Sequence, residues 1–344
     1  MTELLENHDK NQFRITTFSW GPITQDIWQK RIIEASDDFI DASSMNDEEL
    51  IKIAQSKGLD IAIDLKGFTN EARFSVFSAR LAKIHLSYLG YPGTTGSKYI
   101  DYLIADNFII PKTSQKFYTE KIIYMPHCYQ ANMRDREISS KKFTRSMFHL
   151  PEDYFIFCSF NNNYKITPEC FDAWMTILDN VKKSALWIYI SNDEAEYNLK
   201  KEALKRQVDP ERLIFTKSMP IDGHLKRLGL ADLFLDTFPC NAHTSASDAL
   251  RMGLPIVTLS GKSFASRVCG SLLKTLGLKD LIHKSWEDYI NGATMLARDE
   301  VALKKIRKKL KNTADSSALF NSKLFTKDFE SLLVDTLELH KSGA

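Results

Sequence analysis

Short runs rich in β-branched and aromatic residues alternate with amphipathic stretches along almost the whole chain, and this alternation constrains the fold more than any other feature. FRITTFSW (13–20) reads as a strand, DIWQKRIIEASD (26–37) as a helix, and LDIAIDLKG (59–67) as a strand ending in glycine. RFSVFSARLA (73–82) reads as a helix, IHLSYLGYPG (84–93) as a strand and loop, and YLIADNFII (102–110) as a further strand. The pattern breaks in the polar, basic stretch MRDREISSKKFTRS. It then restarts with FIFCSF (155–160), ALWIYIS (185–191), RLIFTKS (212–218), LFLDTF (233–238) and PIVTLSG (255–261), separated by helical segments. Strands alternating with helices predict parallel sheets wrapped in helices, and the interruption predicts two such units. DDFID (37–41), at a helix-to-strand junction, is expected to be solvated. The tail from about 288 to 344 has helical spacing, with Phe329, Leu332, Leu333 and Leu337 on one face.

A chain of 344 residues exceeds one ordinary core, and 43% apolar with 26% charged residues supplies material for two. Lysine plus arginine (46) nearly balances aspartate plus glutamate (44), and the net charge of +2 gives no electrostatic basis for nucleic-acid binding. Cys128, Cys158, Cys170, Cys240 and Cys269 form neither a CxxC pair nor a zinc-type cluster, which suits a reducing compartment. The polar opening MTELLENHDKNQF lacks a signal-peptide core. No apolar run approaches the roughly 20 residues of a membrane span. A cytoplasmic protein without a membrane partner is therefore expected.

Four stretches offer chemistry. In DTFPCNAHTSASDALRMGLPIVTLSG (236–261), a strand end is followed by His243, then Thr244, Ser245 and Asp248 at the start of a helix. Ligands of open parallel sheets sit beyond the carboxyl ends of the strands, and a helix start there presents free N–H groups to an anion. Thr244 and Ser245 add hydroxyls, and His243 can donate a hydrogen bond or, protonated, neutralise charge. The alternative is that Thr244 or Ser245 only caps the helix. In CSFNNNYKITPECFDAW (158–174), Lys165 follows a strand and stands just before a helix whose start holds Thr167 and Pro168. That position suits a departing phosphate, although a solvated loop lysine has the same spacing. HLSYLGYPGTTGSKYIDY (85–102) makes a tight, donor-rich loop that follows neither the P-loop nor the GxGxxG order. In PIDGHLKRLGLADLFLD (220–236), His224 and Arg227 share a helix face. No DxD or HExxH pattern signals a metal.

Together these residues resemble a known family. LADLFLDTFPCNAHTSASDALRMGLPIVTLSGKSFASRVCGSLLKTLGL looks like the signature of O-GlcNAc transferase-like glycosyltransferases, which include the SPINDLY-type proteins. GYPGTTGSKYIDYLIAD, YMPHCY (124–129), FNNNYKITP and LFNSKLFT (319–326) match further landmarks in order, so the resemblance covers about 13 to 340. It implies a GT-B fold of two Rossmann-like lobes with parallel sheets. The expected division is an N-terminal acceptor-side lobe over 1–145, a nucleotide-sugar-binding lobe over 146–324, and a C-terminal helix over 325–344 returning to the N-terminal lobe. It further implies metal-independent, inverting transfer of a sugar, GlcNAc from UDP-GlcNAc or a related donor, to serine or threonine hydroxyls of a protein acceptor. By position, Lys165 and His243 would be catalytic, with Lys165 stabilising the leaving diphosphate. Thr244 and Ser245 would join His243 on the pyrophosphate and sugar, and Asp248 would hold the ribose. Asn162, His224 and Arg227 would surround the uridine, and Gly90, Tyr91, Pro92 and Gly93 would lie near the sugar. No cofactor is implied.

Three departures accompany the resemblance. The chain starts at what looks like the second strand of the N-terminal lobe, without a histidine-bearing loop. It lacks the helical-repeat region, which a separate helical-repeat protein would then have to supply. Ile221 stands where the family often has lysine. No catalytic base is assigned, and Asp60, the nearest candidate, reads as a solvated strand-start residue. The rival expectation is a non-catalytic nucleotide-sugar-binding subunit or a remnant of a larger glycosyltransferase.

Overall fold

Every paired strand is parallel to its neighbour. The computed structural model describes residues 1–22, 24, 26–313 and 316–342. It divides into one unit of Met1–Arg134 with Asn321–Ala344 and a second of Asp135–Phe320. The expected boundary at 145 lies further on, because the segment after Arg134 is tied into the second unit. The Ser139 N–H donates to the Asp222 carbonyl, and Arg145 pairs with Asp232 at 2.8 Å.

The first unit contains α1 (Thr2–Glu6), β1 (Thr16–Ser19), α2 (Ile27–Ala35), β2 (Asp38–Asp41), α3 (Asp47–Ser56), β3 (Ile61–Asp64), β4 (Ile84–Ser87), β5 (Tyr102–Asp106) and β6 (Lys121–Met125). Strands β3 to β6 make a four-stranded sheet in sequential order, while β1 and β2 pair separately. The DFID of that stretch is therefore β2 rather than a solvated junction. Its acidic residues hide a strand because Asp38 is neutralised by Arg14 and Lys57. The expected helix over 73–82 is only a 3-10 turn, Phe74–Ala79, ending at Arg80 with φ +54°. Phe74, Val76 and Phe77 are poor helix formers, and the Ser78 hydroxyl bonds the Ser75 carbonyl locally. YLIADNFII stops being a strand at Asp106, whose Oδ1 accepts the N–H groups of Phe108 and Ile109.

The loops at the carboxyl ends of β3 and β4 interlock through glycines. A Cβ on Gly90 would lie 2.0 Å from the Leu65 carbonyl oxygen, and one on Gly67 (φ +54°) would lie 2.4 Å from the Tyr91 Cβ. Only hydrogen fits there.

The second unit begins with β7 (Phe155–Ser159), α4 (Pro168–Asn180), β8 (Ser184–Tyr189), α5 (Asp193–Lys205) and β9 (Leu213–Thr216). It continues with α6 (Ile221–Leu228), β10 (Leu233–Leu235), α7 (Thr244–Arg251), β11 (Ile256–Leu259), α8 (Val268–Thr275), β12 (Ile282–His283), α9 (Trp286–Arg298) and α10 (Glu300–Thr313). The sheet runs β12-β11-β10-β7-β8-β9, so the chain reverses its direction of growth between β7 and β10. The sheet is buried on both faces, with Phe157, Trp187, Phe234 and Val257 inaccessible. α11 (Ser322–Lys341) belongs to the first unit, where it packs on α1 and β6 and its Phe329 ring meets Tyr88 at 5.2 Å.

Gly90→Ala is expected to lower the urea midpoint of the first unit by about 1–3 kcal/mol of stability, since the added methyl cannot be accommodated without parting two loops. Gly21→Ala, with open space around it, is expected to stay within about 0.5 kcal/mol. Equal midpoints for the two variants would contradict the interlock.

Candidate functional site

In an open parallel sheet the crevice for a ligand forms where neighbouring strands send their connections to opposite faces. Here the two strands are β7 and β10, and the loops after them are those of Lys165 and His243. The structure brings these two residues together. The Lys165 ammonium donates to the Asn241 carbonyl at 3.0 Å, and its charge helps push the His243 imidazole down to about 4, after the larger effect of burial.

The loop after β7 is built by local bonds. Asn162 starts the 3-10 turn Asn163–Lys165 and accepts the Lys165 N–H on its carbonyl. Thr167 then caps α4 by accepting the Cys170 N–H, with Pro168 in the first turn. Its hydroxyl also donates to the Phe238 carbonyl, joining the two loops. The loop after β10 is held more firmly. Asn241 is inaccessible; its amide donates to the Thr237 and Leu259 carbonyls and its N–H to the Ala265 carbonyl.

Helix α7 starts without a side-chain cap. His243 is the N-cap residue, at φ −106° and ψ −92°, and it makes no capping bond. The reading in which Thr244 or Ser245 merely caps the helix is thereby removed: both are already inside it, with Thr244 exposed and Ser245 half-buried. His243 differs from its expected behaviour as a donor or cation. Burial keeps the ring neutral at physiological pH, and its ring bond to the Ala265 carbonyl leaves Nε2 buried without a partner. A neutral imidazole that donates from one nitrogen accepts at the other, so Nε2 is a buried hydrogen-bond acceptor.

His224 has the opposite tautomer. Its Nδ1 accepts from Arg227 Nε at 3.1 Å, which leaves Nε2 as the proton-bearing donor. Burial, then the charges of Arg227 and Arg136, pushes this ring down to about 4 as well. Arg227 is itself buried beneath His224. Its Nη1 donates to the Thr216 hydroxyl and Lys217 carbonyl, and its guanidinium lies over the Phe160 ring at 4.9 Å. The helix-face spacing predicted the His224–Arg227 pair; the structure makes Arg227 the brace of that pair. Ile221 begins α6 and is exposed.

Asp248, one turn into α7, is buried and paired with the Arg136 guanidinium. Burial raises its carboxyl pKa, and the Arg136 charge opposes this. Arg136 thus lies among Asp248 and His224, and it was not legible in the sequence because its stretch reads only as polar and basic. Asp236, directly after β10, was also missed, having read only as part of the run LFLDTF; it is buried among five hydrogen-bond donors.

Gly90, Tyr91, Pro92 and Gly93 belong to the first unit. There Thr94 and Thr95, just beyond them, are fastened to Glu120, which is inaccessible. Burial opposes its ionisation, yet these hydroxyl and N–H donors hold its carboxyl below the usual range. Asp60 is exposed and paired with Lys83 at 2.7 Å, as a solvated strand-start residue would be.

Comparison with known proteins gives a consistent result. The family described as "Glycosyl transferase family 41" matches residues 1–136 and 131–329. The probable UDP-N-acetylglucosamine–peptide N-acetylglucosaminyltransferase SEC of Arabidopsis thaliana is 35% identical over 342 residues, covering 98% of this chain and 35% of that protein. The UDP-N-acetylglucosamine–peptide N-acetylglucosaminyltransferase of Caenorhabditis elegans is 26% identical over 449 residues, covering 98% of this chain and 39% of that protein. Among solved structures, a mutant O-GlcNAc transferase of Thermobaculum terrenum superposes with a TM-score of 0.90 at 27% identity, over 100% of this chain and 65% of that one. The fold is that of GT-B glycosyltransferases. The chain spans little more than a third of the length of these curated relatives. No helix among the described residues is long and apolar enough to cross a membrane.

Arg136→Ala is expected to cost about 1–3 kcal/mol of second-unit stability at pH 8, by leaving the Asp248 charge buried and unpaired. Adding Asp248→Asn is expected to recover most of that loss, a coupling that urea unfolding of the four-member cycle measures.

Proposed function

The chain belongs to glycosyl transferase family 41, and from that premise we propose that it is a metal-independent, inverting glycosyltransferase. It moves a sugar, GlcNAc from UDP-GlcNAc, to serine or threonine hydroxyls of proteins. The observation that carries this reading is the juxtaposition of Lys165 with the uncapped start of α7 where the sheet changes direction. In such a transfer the bond from the anomeric carbon to the diphosphate breaks as the acceptor oxygen bonds from the opposite face, and UDP leaves with full negative charge. The Lys165 ammonium and the positive end of α7, with the hydroxyls of Thr244 and Ser245, stabilise that charge in the role a divalent cation plays elsewhere.

The remaining residues take roles that their protonation allows. His243 Nε2 accepts from a donor-sugar hydroxyl or amide, a group that a neutral imidazole binds and a diphosphate does not provide. His224 Nε2–H donates to a uracil carbonyl, with Arg227 fixing its tautomer. Asp248 accepts ribose hydroxyls, with Arg136 balancing its charge, and Asn162 lies on the uridine side of Lys165. The names of the Arabidopsis and Caenorhabditis relatives support the donor and the protein acceptor.

Calorimetric titration with UDP, UDP-GlcNAc, UDP-glucose and GDP-fucose in EDTA, followed by transfer to lysate proteins, tests the proposal. Selective binding of UDP-GlcNAc and transfer are expected, with Lys165→Ala weakening binding roughly 10- to 100-fold through loss of a charge-assisted contact. Binding without transfer would instead favour a non-catalytic sugar-nucleotide subunit. Binding that needs added Mg²⁺ would contradict the assigned role of Lys165.

A further inference from the structure

The side chain that terminates β10 is one of the most heavily hydrogen-bonded carboxylates in the molecule. Asp236 Oδ1 accepts the main-chain N–H groups of Thr237 at 2.8 Å and Ala242 at 2.7 Å, and the Asn161 amide at 3.2 Å. Oδ2 accepts the Thr258 hydroxyl at 2.6 Å, and the Cys269 thiol donates as well. One oxygen therefore clamps both ends of the segment Thr237–Ala242. Within that segment Asn241 supplies the carbonyl that receives Lys165 Nζ, and His243 follows directly. The Asn161 amide also bonds the Thr237 hydroxyl, which donates in turn to the Cys240 carbonyl. The loops of Lys165 and His243 thus meet on a single carboxylate.

We infer that Asp236 is a positioning residue for donor binding: its negative charge fixes the Thr237–Ala242 loop, and through it Lys165 and His243, in the arrangement that receives the diphosphate and the sugar of the donor. The inference rests on the donor-site reading above and adds a means of regulating that site.

Among the described residues no lysine, arginine or histidine pairs with this carboxylate. The titratable groups facing it are Cys170 of α4, Cys269 of α8 and Tyr289 of α9, whose hydroxyl donates to the Asp236 main-chain carbonyl. Burial raises the pKa of all three and keeps them neutral. Burial likewise pushes the Asp236 carboxyl up to about 6, against its donors. A proton on Oδ2 lets the Thr258 hydroxyl turn and accept, while Oδ1 becomes a neutral carbonyl. The three bonds to the loops then lose their charge assistance, which roughly halves their strength. Donor binding weakens as the pH falls through 6.

Stability moves the other way. A carboxyl raised in the fold above its free value contributes stability that is full below the free pKa and lost as pH rises through the folded one. Opposite signs for binding and stability separate a positioning role from a purely structural one. His224 and His243 do not interfere, since both are pushed down to about 4. UDP-GlcNAc, a diphosphate diester, keeps a constant charge over the same range.

Asp236→Asn turns a neutral carbonyl to the loops and an amide N–H to Thr258, reproducing the protonated form at every pH. The experiment is calorimetric titration of UDP-GlcNAc from pH 5 to 8 with the wild-type chain and this variant, alongside thermal unfolding. The wild-type Kd is expected to weaken about tenfold toward pH 5 with a midpoint near 6. The variant is expected to bind at the weak level throughout, with a thermal midpoint at pH 8 no lower than wild type. Thr258→Val, which removes one donor to the carboxylate, is expected to move the wild-type inflection to higher pH and keeps the test open if the asparagine variant does not fold. A flat wild-type profile, or a variant that loses binding and thermal stability together, would overturn the inference while leaving the donor reading in place. Absence of UDP-GlcNAc binding by the folded wild-type chain at every pH would overturn that reading and the inference with it.

Discussion

The sheet of the second unit grows outward in both directions from the adjacent strands β7 and β10, and the placement of its chemistry depends on that reversal. Connections from these two strands leave toward opposite faces, so a gap opens at their carboxyl ends that no crossing segment fills. The residues that fill it come from sequence positions some 75 apart, as in the bonds from Lys165 to Asn241 and from Thr167 to Phe238. Neither loop is rigid through its own turn chemistry alone. Each is held by bonds to the other, with Asn161, Asp236 and Asn241 forming the buried polar layer between them.

Burial then decides which of these groups carry charge. Two histidines in the same site are held neutral, yet a single different hydrogen bond makes one a donor and the other an acceptor. Positive charge is carried by Lys165, Arg136 and Arg227; Arg136 is answered by Asp248, whereas Arg227 donates to neutral groups. A site built in this way presents the Lys165 cation beside a helix start, together with directional neutral groups. That arrangement discriminates by hydrogen-bond geometry as much as by charge.

Much of this architecture was legible in the sequence because it rests on periodicity. Every strand of the second sheet except the two-residue β12 stood out as an apolar, β-branched run, and the helix at Thr244 followed from the polar cluster after a strand. The misses share a cause. β2 carries two acidic residues, Asp38 and Asp41, of which Asp38 is neutralised by Arg14 and Lys57, and the turn at Phe74–Ala79 has helical spacing built from residues that disfavour a helix. Arg136, Asp236 and Glu120 escaped notice because their significance lies in tertiary partners, which no local spacing reveals. The roles of the two histidines escaped for the same reason: a tautomer is set by the neighbour of the ring, here Ala265 for one and Arg227 for the other.

The first unit is assembled from both arms of the chain. Its last helix, α11, lies on α1 and β6, and the Glu330 carboxylate accepts the Asp9 N–H at 2.8 Å. The second unit, by contrast, is one uninterrupted segment. During synthesis the two therefore mature in the reverse of their order along the chain. Residues 135–320 can complete their core as soon as they emerge, whereas the first unit must wait, with the α1 and β6 surfaces bare, until the final helix has been translated. Over that interval its exposed apolar surface is what a chaperone would encounter, and removal of α11 would strike the first unit, whose other elements are made before residues 135–320, rather than the second.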